Sequence, residues 1–180
     1  LYPGPGGTYV PDLQTSGAPE AEKKDVRASF YHRGVCVEGA DSLSNLVEFI
    51  DWLPKNGFNA FFLQFKKPDI FLERWYSHLY NPTLEPETLE RRDLDAMDQA
   101  VYRAMALRGI HCHRVGHGWT AGVLGGAGTG WHTTEKTLAP DLEPLAALVG
   151  GKRGYWKGIP ANTNLCYSNP KARELLVNQV

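Results

Sequence analysis

What this chain of 180 residues lacks narrows the reading first. It has no long apolar run: stretches such as 60–63 are far too short to span a bilayer. It has no excess charge of either sign, with 19 Lys and Arg against 20 Asp and Glu and a net charge of −1. That balance gives no electrostatic footprint for nucleic acid or an anionic membrane surface, so neither is expected as a partner. Cysteine is scarce and odd in number, with Cys36, Cys112 and Cys166 and no C-x-x-C pair. A disulfide framework and a paired-thiol zinc or redox centre are therefore not expected. The three thiols read as small buried packing residues, a use that leans towards a reducing compartment. The first seven residues have neither the basic flank nor the apolar core of a signal peptide. With no initiator Met they read as an excised or processed boundary, and the localisation stays unread. No internal repeat is visible.

Residues 1–28 are rich in Pro, Gly and small polar residues and contain the charged run 20–25, the pattern of a linker or the tail of a preceding domain. From residue 29 a β–α alternation begins. Val35-Cys36-Val37 is a short strand; Asp41 or Ser42 can cap a helix on which Leu43, Leu46, Val47, Ile50 and Leu53 share one face. Pro54 strains its last turn and Gly57 can end it. The nearly continuous apolar run 59–65 suits a parallel strand covered on both faces. A polar, aromatic connection through Trp75, Tyr76, His78 and Pro82 leads to a second helix from about Asp93 to Gly109. A third strand over 110–115 runs into Gly116-His117-Gly118-Trp119. A long Gly-rich loop follows, with a helix expected over 142–149. Asn169-Pro170 supplies a cap and a first-turn Pro for a last helix carrying Leu175 and Leu176. This order predicts an α/β fold with a parallel sheet. Both a doubly wound sheet and a barrel fit it.

Polar residues cluster where such strands end and the βα loops begin, which is where barrel active sites lie. Glu38 closes the first strand, Gln64 and Lys66 the second, His113 and His117 the third. Alternation along the strand puts Gln64 opposite Phe61, Leu63 and Phe65, and so towards the centre; Glu38 opposes Val35 and Val37 in the same way. Beside Trp75, Tyr76, Trp119 and Trp131 these groups match the needs of a carbohydrate pocket, hydroxyl partners together with flat apolar faces. The competing reading has Glu38 and Gln64 satisfying one another as buried structural polar groups. Trp52, on the first helix, is expected to pack. His111, His113 and His117, with His132, offer a second chemistry, a divalent metal shared by neutral imidazoles, although no carboxylate follows nearby on that strand. One His in a sugar pocket is the preferred reading, and no metal or other cofactor is expected. Gly122, Gly125, Gly126, Gly128 and Gly130 lack the Lys-Ser/Thr ending of a phosphate loop and read as a loop bordering the pocket.

Specific strings carry a resemblance. The segments Arg33-Gly34-Val35-Cys36-Val37-Glu38-Gly39, Val115-Gly116-His117-Gly118 and Leu165-Cys166-Tyr167-Ser168-Asn169-Pro170 resemble the barrel opening, the Gly-His motif and the pre-fourth-strand segment of family-20 glycoside hydrolases, the β-N-acetylhexosaminidases. With Asp51-Trp52-Leu53-Pro54-Lys55, Arg74-Trp75-Tyr76-Ser77-His78 and Gly151-Lys152-Arg153-Gly154, they are more similar still to uncharacterised bacterial proteins with a domain of unknown function in or beside such a barrel. The resemblance covers residues 30 to 180. It implies a partial (β/α)8 TIM-type barrel, its first three βα units carrying long βα loops, in a hydrolase of carbohydrate metabolism. Residues 29–180 would be the N-terminal part of the catalytic domain, and the remainder of the barrel would lie in the parent chain. Arg33 would bond sugar hydroxyls, Glu38 would hold Arg33 or a hydroxyl, and His117 would border the pocket. Gln64, His113 and Trp119 complete the expected substrate-binding set. The Asp-Glu pair of that family follows the fourth strand, so the catalytic carboxylates are expected beyond residue 180 and residues 1–180 alone are expected to be inactive. The second-strand end, Gln64-Phe65-Lys66-Lys67-Pro68, departs from the acidic, aromatic family pattern. A non-catalytic carbohydrate-binding barrel and a metal-dependent hydrolase using His111, His113 and His117 are the alternatives; the departure speaks against an acetamido sugar and leaves a uronic acid or another glycoside open.

Overall fold

The computed structural model describes residues 27–78, 81–126 and 137–179. Its elements run β1 (Gly34–Val37), α1 (Leu43–Lys55), β2 (Ala60–Phe65), α2 (Asp69–Tyr76), α3 (Arg91–Leu107), β3 (His111–His117), α4 (Trp119–Val123), β4 (Leu148–Val149), β5 (Lys152–Arg153) and α5 (Pro170–Val177). β1, β2 and β3 form a parallel sheet in that spatial order. The fold is therefore α/β.

Sequence chemistry explains the layers. Ser42 caps α1 through its Oγ, which accepts from the Asn45 amide, and Leu46, Ile50 and Leu53 of the same helix are buried. Phe61, Leu63 and Phe65 of β2 meet them on one face of the sheet. Ile70, Phe71 and Leu72 of α2 and Val101, Ala104 and Met105 of α3 close that core. Burying each large apolar side chain contributes about 1.5–3 kcal/mol before the entropic cost of ordering the chain is subtracted. Two polar fasteners tie the helices. Buried Asp51 of α1 accepts from Lys55 and, across to the end of α3, from Arg108 Nε at 2.6 Å. Arg91 at the start of α3 donates to Asp69 at the start of α2 at 2.7 Å. Trp52 packs between Phe49 and Phe58, with ring centroids at 5.7 and 5.8 Å, while keeping 45% of its surface exposed.

Three expectations need correcting. The connection carrying Trp75 and Tyr76 is helical, as α2, and the Tyr76 hydroxyl accepts from the Leu43 amide that opens α1. The helix expected over 142–149 is instead a 3-10 turn, Glu143–Leu145, followed by the antiparallel β4–β5 pair. Pro144 lacks the amide a helix interior would use, and Gly150 and Gly151, with φ of 57° and 77°, provide the left-handed turn that folds the chain back. Cys36 and Cys112 are exposed and Cys166 half-buried; all three are free thiols. Cys36 lies on the face of the sheet away from the helices, and Cys112 on β3, which has one strand neighbour, so neither is enclosed.

A second, smaller core forms where the chain leaves β3. Leu124, Leu145, Ala146, Leu165 and Ala172 are buried there with Leu175 and Leu176 of α5 against them. As expected, Asn169 caps α5 and Pro170 opens it. Gln179, just past α5, accepts from Lys66 Nζ at 2.8 Å and donates to the Trp119 carbonyl at 3.1 Å, joining this unit to the ends of β2 and β3.

Candidate functional site

The face of the sheet opposite the helices carries Gly34, Cys36, Phe62, Gln64 and His113. At its carboxyl end Gln64 is fixed by both ends of its amide. Nε2 donates to Glu38 at 2.9 Å and Oε1 accepts from the Gly39 amide at 3.4 Å. Glu38 and Gln64 thus bond each other, as in the competing reading, but Glu38 is exposed to solvent where that reading had it buried. Lower on the same face the His113 ring stacks on Phe62 at 4.5 Å and meets His32 edge-on at 5.0 Å. Its Nε2 is buried without a hydrogen-bond partner among the described residues.

A bulge separates His117 from this face. Leu63 pairs with Arg114 but Phe65 pairs with His117, so β3 holds one residue more than β2 between the two pairs. Regular alternation would put His111, His113 and His117 on one side; the extra residue transfers His117 to the side of Phe65, whose ring lies 5.7 Å away. Gly116 makes the bulge possible: its φ is 86°, and a Cβ there would sit 2.2 Å from the Gln64 carbonyl oxygen. The bulge thus keeps His117 off the side of the strand that carries His111 and His113. Among the described residues no three His, Cys, Asp or Glu side chains could hold a metal ion together.

His117 instead borders a cleft of about 1070 Å³ between the end of β3, α4, the β4–β5 pair and α5. Its Nδ1 lies 3.0 Å from the Ala161 carbonyl. Trp119, Trp156 and Tyr167 supply aromatic surface, and Arg114, Asn162 and Asn164 supply hydrogen-bonding groups. Buried Thr163 holds the Trp156 loop: its Oγ1 accepts from the Trp156 amide and donates to the Ile159 carbonyl, each at 2.9 Å. Lys66 Nζ lies 5.0 Å from the centre of the Trp119 ring and the Arg114 guanidinium 5.8 Å from it. Burial, together with the positive charges of Lys67 and Arg114, pushes the Lys66 ammonium below its ordinary pKa.

The expected site therefore divides. Glu38, Gln64 and His113 lie on the open face, and His117 and Trp119 in the cleft; the contact of Gly116 with Gln64 makes the two regions neighbours. Arg33 belongs to neither. It precedes β1, so it sits at the amino end of the strands, where its guanidinium donates to the Gly57, Phe30 and Tyr31 carbonyls, at 2.6 Å for Gly57. Its role is to hold turns, and Glu38 bonds Gln64 rather than Arg33. Trp75 and Tyr76 are on α2 and do not line the cleft. Trp131, His132, Gly128 and Gly130 lie outside the described residues. Trp156 and Asn162 were not singled out from sequence, and Asn164 and Tyr167 were noted only within the motif before Asn169-Pro170 and not as binding residues. Their signal was an aromatic and amide-rich stretch in Gly- and Pro-punctuated loops, where binding residues tend to concentrate. The chain matches no protein-family model, and no curated protein or solved structure resembles it significantly.

Proposed function

We propose that these residues bind a carbohydrate in the cleft beside β3, as part of a (β/α)-barrel glycoside hydrolase. One observation carries the reading: Trp119, Trp156 and Tyr167 share a single cleft with Arg114, His117, Asn162 and Asn164. Sugar rings offer apolar faces to aromatics and hydroxyls to amide, guanidinium and imidazole groups, and this lining supplies both. The barrel supports itself on less. Strand order without reversal, crossover helices on one face and polar groups on the open face agree with the first βα units of such a fold.

Glycoside hydrolysis uses carboxyl groups at the scissile bond in most families. No Asp or Glu is among the described residues lining the cleft, and Glu38 is engaged by Gln64. The role proposed for these residues is binding, without turnover of their own. Titration of the purified chain with a panel of oligosaccharides, followed by tryptophan fluorescence and calorimetry, tests this. At least one sugar should bind, and Trp156→Ala should weaken it about tenfold. A panel without heat or fluorescence change would remove the carbohydrate reading.

A further inference from the structure

We infer that the ligand of this cleft is an acidic sugar, a glycan unit bearing a carboxylate, held by Arg114 and Lys66 beside the Trp119 ring. The inference rests on the carbohydrate reading of the cleft and narrows it to one chemical class.

The argument is one of charge accounting. The chain as a whole is nearly neutral, with a net charge of −1. Positive charge nevertheless gathers around Trp119, which lines the cleft: Arg114, also in the lining, and Lys66, just outside it, lie 5.8 and 5.0 Å from the centre of its ring. The Lys66 ammonium spends its hydrogen bond on the neutral amide of Gln179. Among the described residues, the carboxylates that face the ends of β2 and α2 have partners of their own. Glu38 is bonded to Gln64 on the open face; Asp69 and Asp95 are taken by Arg91. Clustered cations are costly to keep together unless an anion joins them, and burial, with the positive charges of Lys67 and Arg114 added, holds the Lys66 ammonium below its ordinary pKa. A neutral sugar would satisfy the tryptophan faces and the asparagine amides yet leave this repulsion in place. A carboxylate on the ring relieves it, and the fixed donor fork of Arg114 is suited to a planar carboxylate.

The test uses matched neutral and uronate trisaccharides built on gluco, galacto and manno rings, titrated into the full chain at low and high salt. At low salt at least one uronate should bind about tenfold more tightly than its neutral partner. High salt should shrink that advantage. Arg114→Gln and Lys66→Gln should each drive the ratio towards one; should either variant fail to fold, the wild-type ratio and its salt dependence still decide. Neutral sugars binding as well as every uronate would overturn this inference and leave the carbohydrate reading standing. No binding by any sugar would overturn both.

Discussion

Replacing Asp98 by Asn is expected to stabilise the protein above neutral pH. Asp98 lies on α3 with only 4% of its surface exposed, and its Oδ1 has no hydrogen-bond partner among the described residues. Its Oδ2 is 4.0 Å from Arg91 Nη2, but that guanidinium is already bonded to Asp69 and Asp95. Burial, reinforced by the Asp69 charge and offset only in part by Lys67 and Arg91, pushes the Asp98 carboxyl up to about 7. In the unfolded chain it titrates near ~3.9. The folded protein therefore binds the extra proton between about pH 4 and 7, and the stability it gains from keeping the group neutral is lost as pH rises through that window. A displacement of this size corresponds to about 4 kcal/mol as an upper bound. Freedom of Arg91 to swing towards Asp98 and some water access lower the expected gain to about 1–3 kcal/mol at pH 8. Asn keeps the shape and helix propensity while removing the charge. Urea unfolding at pH 5 and pH 8 reads the effect: the variant's midpoint should lie about 1 M higher than wild type at pH 8 and close to it at pH 5. A variant of equal or lower stability at pH 8, with the same difference from wild type at both pH values, would refute the reasoning.

Gly116→Ala should destabilise the chain by about 2 kcal/mol or more, because it combines a left-handed φ with a Cβ driven onto the Gln64 carbonyl; thermal unfolding measures it. Among the three thiols, Cys166 should be alkylated first by iodoacetamide near neutral pH. Hydrogen bonds from Ser168 and then Arg153 draw its pKa down to about 7, whereas partial desolvation of the sulfur against the sheet raises those of Cys36 and Cys112. Peptide mapping after brief labelling decides it, and faster labelling of Cys36 or Cys112 would contradict the assignment.

The alternation of strand and helix was legible because it rests on short-range chemistry: the run 59–65, the face Leu46, Ile50 and Leu53, and the caps Ser42 and Asn169 all signal locally. α2 was illegible because it is short, begins at Pro68 without a side-chain cap and has no long periodic face. The 142–149 stretch misled because Ala146 and Ala147 favour helix, while the Gly150-Gly151 turn that overrode them was read only as loop. Arg33 shows a different limit. Parallel strands carry direction, and a residue just before β1 must lie at the end of the sheet remote from Glu38; its motif outweighed that simple geometry. The cleft was only half legible, since Trp119 follows a strand directly, whereas Trp156 and Asn162 reach it through a fold-back that no local pattern encodes.

The extra residue in β3 has a consequence for how this segment can vary. A strand reads its own sequence by parity, so shortening the stretch between Arg114 and His117 by one position would let the two strands pair one to one, with the imidazole still opposite Phe65. It is regular pairing at the present length, with no residue removed, that would carry the imidazole walling the cleft over to the side of His111 and His113. In this region the strand can lose its extra residue and stay in register, whereas keeping that residue depends on the glycine at position 116.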